Sequence, residues 1–407
     1  MRTPAPEPRG RVALSLKAGS FTESVIREMT RLNLALHGPD KAVNFAQGFP
    51  DFEPPTELVE AARAALSAGG AYHQYATTWG APVLRQSVAE KKSVEWGEPV
   101  DPETEVTVAC GATESMMAAM LAVVDPGDEV VIFEPFYENY GPDCILSGAR
   151  PRYVPLRPPD WSFDPDQLSA AFNERTRAVV VNTPNNPTGK VYGRDELQLI
   201  AELCQRHDAI AITDEIYEHM VFEGEHVSMA TLPGMRERTI TISGASKTYS
   251  ITGWRIGWLI APPNLTGGIR KVHDFLTVGA AHPLQIAVAA ALKFPPSFYD
   301  ALLEEYRERR DVILRGLSEV GFDLNPPAGA YYVMAGIEGL TELDDVSFAH
   351  RLIETAGVAT VPGSSFYSDR ELGRHQVRFS FPKRLATIER GLAALARLRP
   401  QQRTPAG

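Results

Sequence analysis

Cysteine is scarce in this 407-residue chain: three residues, Cys110, Cys144 and Cys204, lie far apart with no CxxC pair. That spacing excludes a disulfide framework and a zinc knuckle, indicates no metal, and fits free thiols in a reducing compartment. Basic blocks are missing as well. With a net charge of −11 the chain has nothing to offset repulsion from phosphate, so nucleic acid is excluded and a small-molecule partner is expected. Long apolar runs are also absent. The stretches SMMAAMLAVV and LQIAVAAAL stop well short of the roughly 20 residues that span a bilayer, so no membrane partner is expected. The segment MRTPAPEPRGR has charge and proline with no apolar stretch behind it, which argues against a secretory signal. Residues 1–11 are expected to be a disordered arm, residues 401–407 a disordered tail, and the location cytoplasmic. No internal repeat is visible.

What the sequence does have is enough apolar content, 44%, to bury a large core divided between two domains. From residue 105 the pattern runs strand, turn, helix, strand: EVTVA, CGAT, ESMMAAMLAVV, DPGDEVVIFEP. That is the order of an α/β layer with a largely parallel sheet. RAVVVN, AIAIT, TITIS and WRIGWLIAP add strands, with the helix DELQLIAELCQRH between the first two. Helical periodicity covers 12–40, ending at His37-Gly38-Pro39, then 56–68, and most of the chain from 262 to the end of a long amphipathic helix that begins near 295. The remainder alternates helices with short strands, as in a smaller α+β domain.

The strand ends carry the chemistry. The GAT turn puts the N–H groups of Ala112 and Thr113 at the head of a helix, a ready anion site, although every such turn looks similar. Strand EVVIFEP releases Phe136, Tyr137 and Tyr140, for stacking on a planar ligand or for core packing. RAVVVN opens into TPNNPTG, where Asn182 and Asn186 suit a turn and also stand at a ligand-binding edge. AIAIT delivers Asp214 and then Tyr217; a carboxylate ending an apolar strand needs a partner or caps the next turn. TITIS ends on a small-residue turn presenting Lys247, and Arg255 follows between Gly253 and Gly257. Elsewhere, Gly48 in VNFAQGFPDFEPP offers a bare backbone N–H to a carboxylate or simply a turn, and the default role of Tyr75 is packing. Arg378 in VRFSFP alternates with Val377 and Phe379, which leaves it either at the surface or on a substrate carboxylate. A lysine able to form a Schiff base and an arginine able to fork onto phosphate are what pyridoxal phosphate requires.

With NNPTG, DEIY, SK and GWRIG in this order, the chain resembles the class I/II aminotransferases among the fold-type I pyridoxal phosphate enzymes. The likeness runs from AQGFPDF at 46 to VRFSFP at 377. AQGFPDF, GATE, EPFY and NTPNNPTGK look most like the branch of kynurenine, glutamine and methionine aminotransferases and cysteine-conjugate lyases. The resemblance implies a large α/β domain, residues 51–285, with a mostly parallel seven-stranded sheet flanked by helices. It also implies a smaller α+β domain built from both chain ends, 12–50 and 286–400, and a homodimer. By the same resemblance Lys247 is the Schiff-base lysine and proton shuttle, and Asp214 pairs with the ring nitrogen. Asn186 and Tyr217 bond the phenolic oxygen, and Tyr137 stacks on the ring. Arg255, Ala112 and Thr113 hold the phosphate, with Tyr75 reaching it from a neighbouring subunit; Arg378 and Gly48 take the substrate carboxylate. One position departs from the family pattern: Gly244 stands where many members have a phosphate-binding serine, which leaves Ser243 or Ser246 to substitute. The implied reaction moves an amino group between an α-amino acid and a 2-oxo acid. Its alternatives are β-elimination or an aminocyclopropane-type synthesis on the same scaffold, and more remotely a non-catalytic cofactor-binding regulator. Phe21, Tyr137, Tyr331, Tyr332 and Phe366 near the expected mouth point to a bulky or apolar neutral substrate.

Overall fold

The computed structural model describes residues 14–398, so the arm and tail expected over 1–11 and 401–407 lie outside the described residues. Its strands are β1 (Val43–Asn44), β2 (Val106–Ala109), β3 (Glu129–Glu134), β4 (Arg150–Arg157), β5 (Ser162–Phe163), β6 (Thr176–Asn182) and β7 (Ile210–Asp214). They continue with β8 (Thr239–Gly244), β9 (Gly257–Ile260), β10 (Asp323–Leu324), β11 (Tyr332–Gly336), β12 (Val358–Ala359), β13 (Val361–Pro362) and β14 (Gln376–Ser380). The large sheet has eight strands in the order β2-β9-β8-β7-β6-β3-β4-β5. Neighbours from β8 to β4 are parallel, while β9 runs antiparallel to β2 and β8, and β5 antiparallel to β4. The count exceeds the expected seven by the two-residue β5. Strand β4, RPRYVPLR, escapes sequence reading because arginines and prolines mask its pattern; next to the sheet edge it is half exposed and tolerates both.

The central strands read as unbroken apolar runs because both of their faces are covered. Val130, Ile132, Val180, Ile212, Ile240 and Ile242 pack toward helices Ala112–Val123 and Pro263–Thr277. The alternate residues Val131, Phe133, Val179 and Val181 pack toward helix Arg194–Arg206. Each such side chain, fully buried, contributes roughly 1.5–3 kcal/mol. The register then sets up the site: Asn182 lies opposite Asp214, and Asp214 opposite Ile242, so three strands end together at one edge.

The smaller layer is the antiparallel sheet β10-β11-β14-β13, and β1 pairs in parallel with β12, which ties the N-terminal part to the C-terminal part. Met334 pairs with Arg378 and Tyr332 with Ser380, so Tyr332 and Arg378 share one face. Against the expected helix over 12–40, the helix is Val25–Lys41, capped by Ser24 and kinked at Gly38 (φ 71°), while 16–19 form a turn. Glu138 accepts from Ser24 Oγ at 2.6 Å and from Ile26 N at 3.2 Å, which fixes the helix start beside the end of β3. Among the described residues no single helix is long and apolar enough to cross a membrane.

Helix Tyr140–Ser147 contains an unpaired charge. Asp143 is 5% exposed, and its Oδ2 has no hydrogen-bond partner. Burial alone pushes its carboxyl up to about 7. With the folded pKa above the unfolded value, the folded state binds the extra proton, so stability falls as pH rises from about 4 to about 7. Asp143→Asn is therefore expected to be nearly neutral near pH 4 and to stabilise the protein by about 4 kcal/mol at pH 8. Denaturant unfolding at both pH values checks this; equal effects at both would refute it.

Candidate active site

The ends of β6, β7 and β8, the head of helix Ala112–Val123 and the β11/β14 face of the smaller layer enclose a cleft of about 1410 Å³. Ala112, Thr113, Tyr137, Asn186, Asp214, Tyr217, Ser246, Lys247, Arg255, Gly48 and Arg378 all line it, together with Tyr140 and Tyr332. Tyr75 does not line it and is 84% exposed.

Lys247 sits in the short helix Ala245–Thr248 that follows β8, and its Nζ donates to Gly48 O at 3.0 Å. Its pKa is lowered to about 8, first by loss of water and then by Arg255, with Asp214 opposing and Arg378 and Lys383 adding to the fall. It is an amine poised to lose its proton. Asp214 ends β7 at 8% exposure. Tyr140 Oη donates to its Oδ2 at 2.7 Å and Ile216 N to its Oδ1 at 3.2 Å. Burial still outweighs these donors and raises its pKa, so the carboxylate is short of a cation.

Arg255 precedes β9 instead of lying within it, with φ 56° and ψ 50°, a region rarely held by a residue other than glycine. From there Nη1 donates to Thr252 O at 3.0 Å and Nη2 to Cys110 O at 3.4 Å, bringing the guanidinium over Gly111. A side chain at Gly111 (φ 84°) would collide with that guanidinium, and one at Gly257 with the backbone of Gly111 and Ala112. Glycine at both positions lets the helix head and the arginine converge on one anion seat. The first backbone N–H groups to bond back are those of Glu114 and Ser115, to Gly111 O, which leaves Ala112 and Thr113 free to face the cleft. The open choice of serine narrows here. Ser243 Oγ donates to Glu218 at 2.8 Å, away from the cleft, whereas Ser246 lines it. Gly244 is packed against Gly257 Cα at 3.0 Å and Ile256 O at 3.1 Å from an added Cβ, so a serine there would crowd the backbone. Behind this turn Glu215, Glu218 and His226 bring their ligand atoms within 4.8 Å of one another, and the Lys92 ammonium bonded to Glu218 already takes the place of a cation.

Arg378 is not at the surface: it is fully buried. Nη1 donates to Asn186 Oδ1 at 2.8 Å, Nη2 to Ala46 O, and Nε has no partner. A buried guanidinium with an orphaned N–H and no carboxylate beside it lacks an anion. The Gly48 carbonyl accepts from Lys247 Nζ and, at 2.9 Å, from Tyr331 Oη, while Lys383 Nζ holds the loop through Phe49 O at 2.7 Å. Of the five aromatics expected at the mouth, Phe21, Tyr137 and Tyr332 line the cleft; Tyr331 and Phe366 are fully buried behind it. Lys383 had no role in the sequence reading, which offered Tyr140 only for stacking or packing and Tyr332 only as an aromatic at the mouth.

A model of the aminotransferase class I and II family matches residues 40–395. The chain belongs to this family. Human kynurenine–oxoglutarate transaminase 1 is 38% identical, covering 85% of this chain and 90% of its own, and Escherichia coli methionine aminotransferase 37%, covering 90% and 93%. The solved structure of N-succinyldiaminopimelate aminotransferase from Mycobacterium tuberculosis superimposes with a TM-score of 0.91 at 39% identity, covering 95% of this chain and 100% of that one. The protein is thus a pyridoxal-phosphate-dependent aminotransferase with a large, mostly parallel α/β domain and a smaller α+β domain. Its cleft fits that cofactor: an anion seat at a helix head, an amine of lowered pKa, and a buried carboxylate that wants a cation.

Proposed function

We propose that this aminotransferase works through Lys247, Asp214 and Arg378, and the observation that carries the reading is that these three, each with an unmet electrostatic need, open into one cleft. Pyridoxal phosphate, when bound, supplies an aldehyde that captures amino groups and a ring that takes up the electron pair of the substrate's α C–H bond. Lys247 would hold the cofactor covalently and, once free of it, would serve as the neutral base for the proton of the substrate's α-carbon. Asp214 keeps the ring nitrogen protonated. Asn186 and Tyr217 orient the phenolic oxygen and Tyr137 covers the ring face. Arg255, the Ala112 and Thr113 N–H groups and Ser246 hold the phosphate. Arg378 grips the substrate carboxylate with its free N–H, beside the Gly48 backbone, and so directs the α C–H bond over the ring. The aromatic lining from Phe21, Tyr137 and Tyr332 supports a bulky or apolar neutral amino acid as donor, and the free, mostly buried thiols support a cytoplasmic setting. A panel of amino donors tests the reading: productive donors convert the bound aldehyde to the amine form in the visible spectrum, and turnover requires a 2-oxo acid. Release of pyruvate and ammonia without a 2-oxo acid would instead make the reaction a β-elimination.

The exposed Tyr75 supports a homodimer in which this residue crosses to the other copy's phosphate seat. Mixing Lys247→Ala chains with Tyr75→Phe chains is then expected to restore activity above either parent, since each heterodimer holds one complete site. Subunit exchange with no gain, or a monomer by sedimentation, would overturn this.

A further inference from the structure

We propose that Tyr332 is a positioning residue for the cofactor: its hydroxyl donates to Tyr217, which commits the Tyr217 proton to the cleft. The inference rests on the role given above to Tyr217. The two hydroxyl oxygens are 2.8 Å apart, and both side chains are buried. Burial, as the first cause, holds both phenols above their usual pKa, so each brings a proton. One contact uses one of those two protons. If Tyr217 donated to Tyr332, the Tyr332 proton would turn to the Tyr331 hydroxyl oxygen, and no donor would point from Tyr217 into the cleft. The Tyr331 hydroxyl spends its own proton on Gly48 O at 2.9 Å, which leaves its oxygen able to accept but gives Tyr217 no second donor. In the opposite direction both protons are used once an oxyanion lies in the cleft, because Tyr332 donates to Tyr217 and Tyr217 donates to the oxyanion. Such a relay strengthens its last bond by about 10–30%.

The backbone makes room for this hydroxyl. A side chain at position 48 would collide with Tyr332 Oη, so Gly48 is required by the tyrosine as much as by any ligand. The ring has a second task. The Arg378 guanidinium lies over it, 4.5 Å from its centre, on the shared face of β11 and β14. One side chain thus braces the carboxylate-binding arginine with its face and Tyr217 with its tip. The other charged or titratable groups around this point are Asp214, Lys247, Arg255, Lys383, Tyr137, Tyr306 and Tyr331; of these Tyr331 also neighbours Tyr217, with its own proton on Gly48 O.

The test is a visible-absorption pH titration of the cofactor-loaded protein without substrate. A less stabilised phenolic oxygen makes the linkage nitrogen hold its proton more tightly, which moves the midpoint upward. Tyr217→Phe is expected to raise the midpoint by about one unit and Tyr332→Phe by about half a unit. The double variant should match Tyr217→Phe alone, because the relay has nothing left to act on. Tyr332→Leu, which also removes the ring under Arg378, should in addition raise the amino-donor KM by roughly three- to tenfold. An unshifted Tyr332→Phe beside a shifted Tyr217→Phe would overturn the inference alone, as would a Tyr332→Phe shift that persists without the Tyr217 hydroxyl. An unshifted Tyr217→Phe would instead sink the role proposed for Tyr217, and the inference with it.

Discussion

Lys247→Ala is expected to abolish covalent cofactor attachment and to cut turnover by roughly 10⁴-fold or more, the scale of a lost acid–base group, while leaving the fold intact. The fold survives because Lys247 makes one hydrogen bond, to Gly48 O, and that carbonyl keeps its second donor, Tyr331. The activity does not survive because no other lysine is placed to act. Lys383, also lowered to about 8 by burial, points its Nζ at the carbonyls of Gln47 and Phe49. In the intact protein the amine at about 8 also sets a pH dependence: attachment needs the neutral form, so capture of added pyridoxal phosphate quickens from pH 7 to pH 9 and then levels off. Borohydride reduction followed by peptide mapping checks the assignment directly; label on any other lysine would refute it.

How far the sequence foretells this site depends on what each residue touches. Lys247, Asp214, Asn186 and the Ala112 helix head were legible because each follows a buried apolar strand, and a polar group at a strand's carboxyl end must go somewhere. Arg378 was only half legible. Alternation separates it from Val377 and Phe379 but does not say that the face it joins is itself buried beneath the N-terminal segment, with Ala46 O as a partner 332 residues away. Arg255 was found as a residue but misplaced in its element, since only a left-handed backbone brings it over Gly111, and no propensity predicts that for arginine. The pairing of Tyr332 with Tyr217 spans 115 residues and belongs to tertiary packing alone. Strand β4 was lost for the opposite reason: its local composition argues against a strand, and only its place beside β3 makes it one.

Asp214→Asn is expected to bind cofactor normally and to transaminate about 10²–10⁴-fold more slowly. The amide is close in shape to the carboxylate: its oxygen can still accept from Ile216 N while its NH2 donates to Tyr140 Oη, whose hydroxyl turns to accept, so the end of β7 should be little disturbed. What disappears is the charge. Burial raises the Asp214 pKa in the unloaded protein, which means that the ionised form is under-compensated and gains from a cation placed against it. A protonated ring nitrogen is that cation, and by reciprocity the carboxylate holds the proton on the ring. Losing one partner of a buried pair costs roughly 3–5 kcal/mol, and each 1.36 kcal/mol is a factor of ten in rate. The loss falls on the proton-transfer step, where the ring must accept an electron pair, and not on binding, which Arg255 and the helix head still provide. Single-turnover kinetics with a productive amino donor separates the two: unchanged cofactor affinity with slowed conversion to the amine form is the expected outcome. Near-normal conversion in Asp214→Asn would mean that another group protonates the ring. Among the described residues Tyr140 has its hydroxyl 2.7 Å from the same carboxylate, and the Tyr140→Phe variant in the Asp214→Asn background would then show whether it does so.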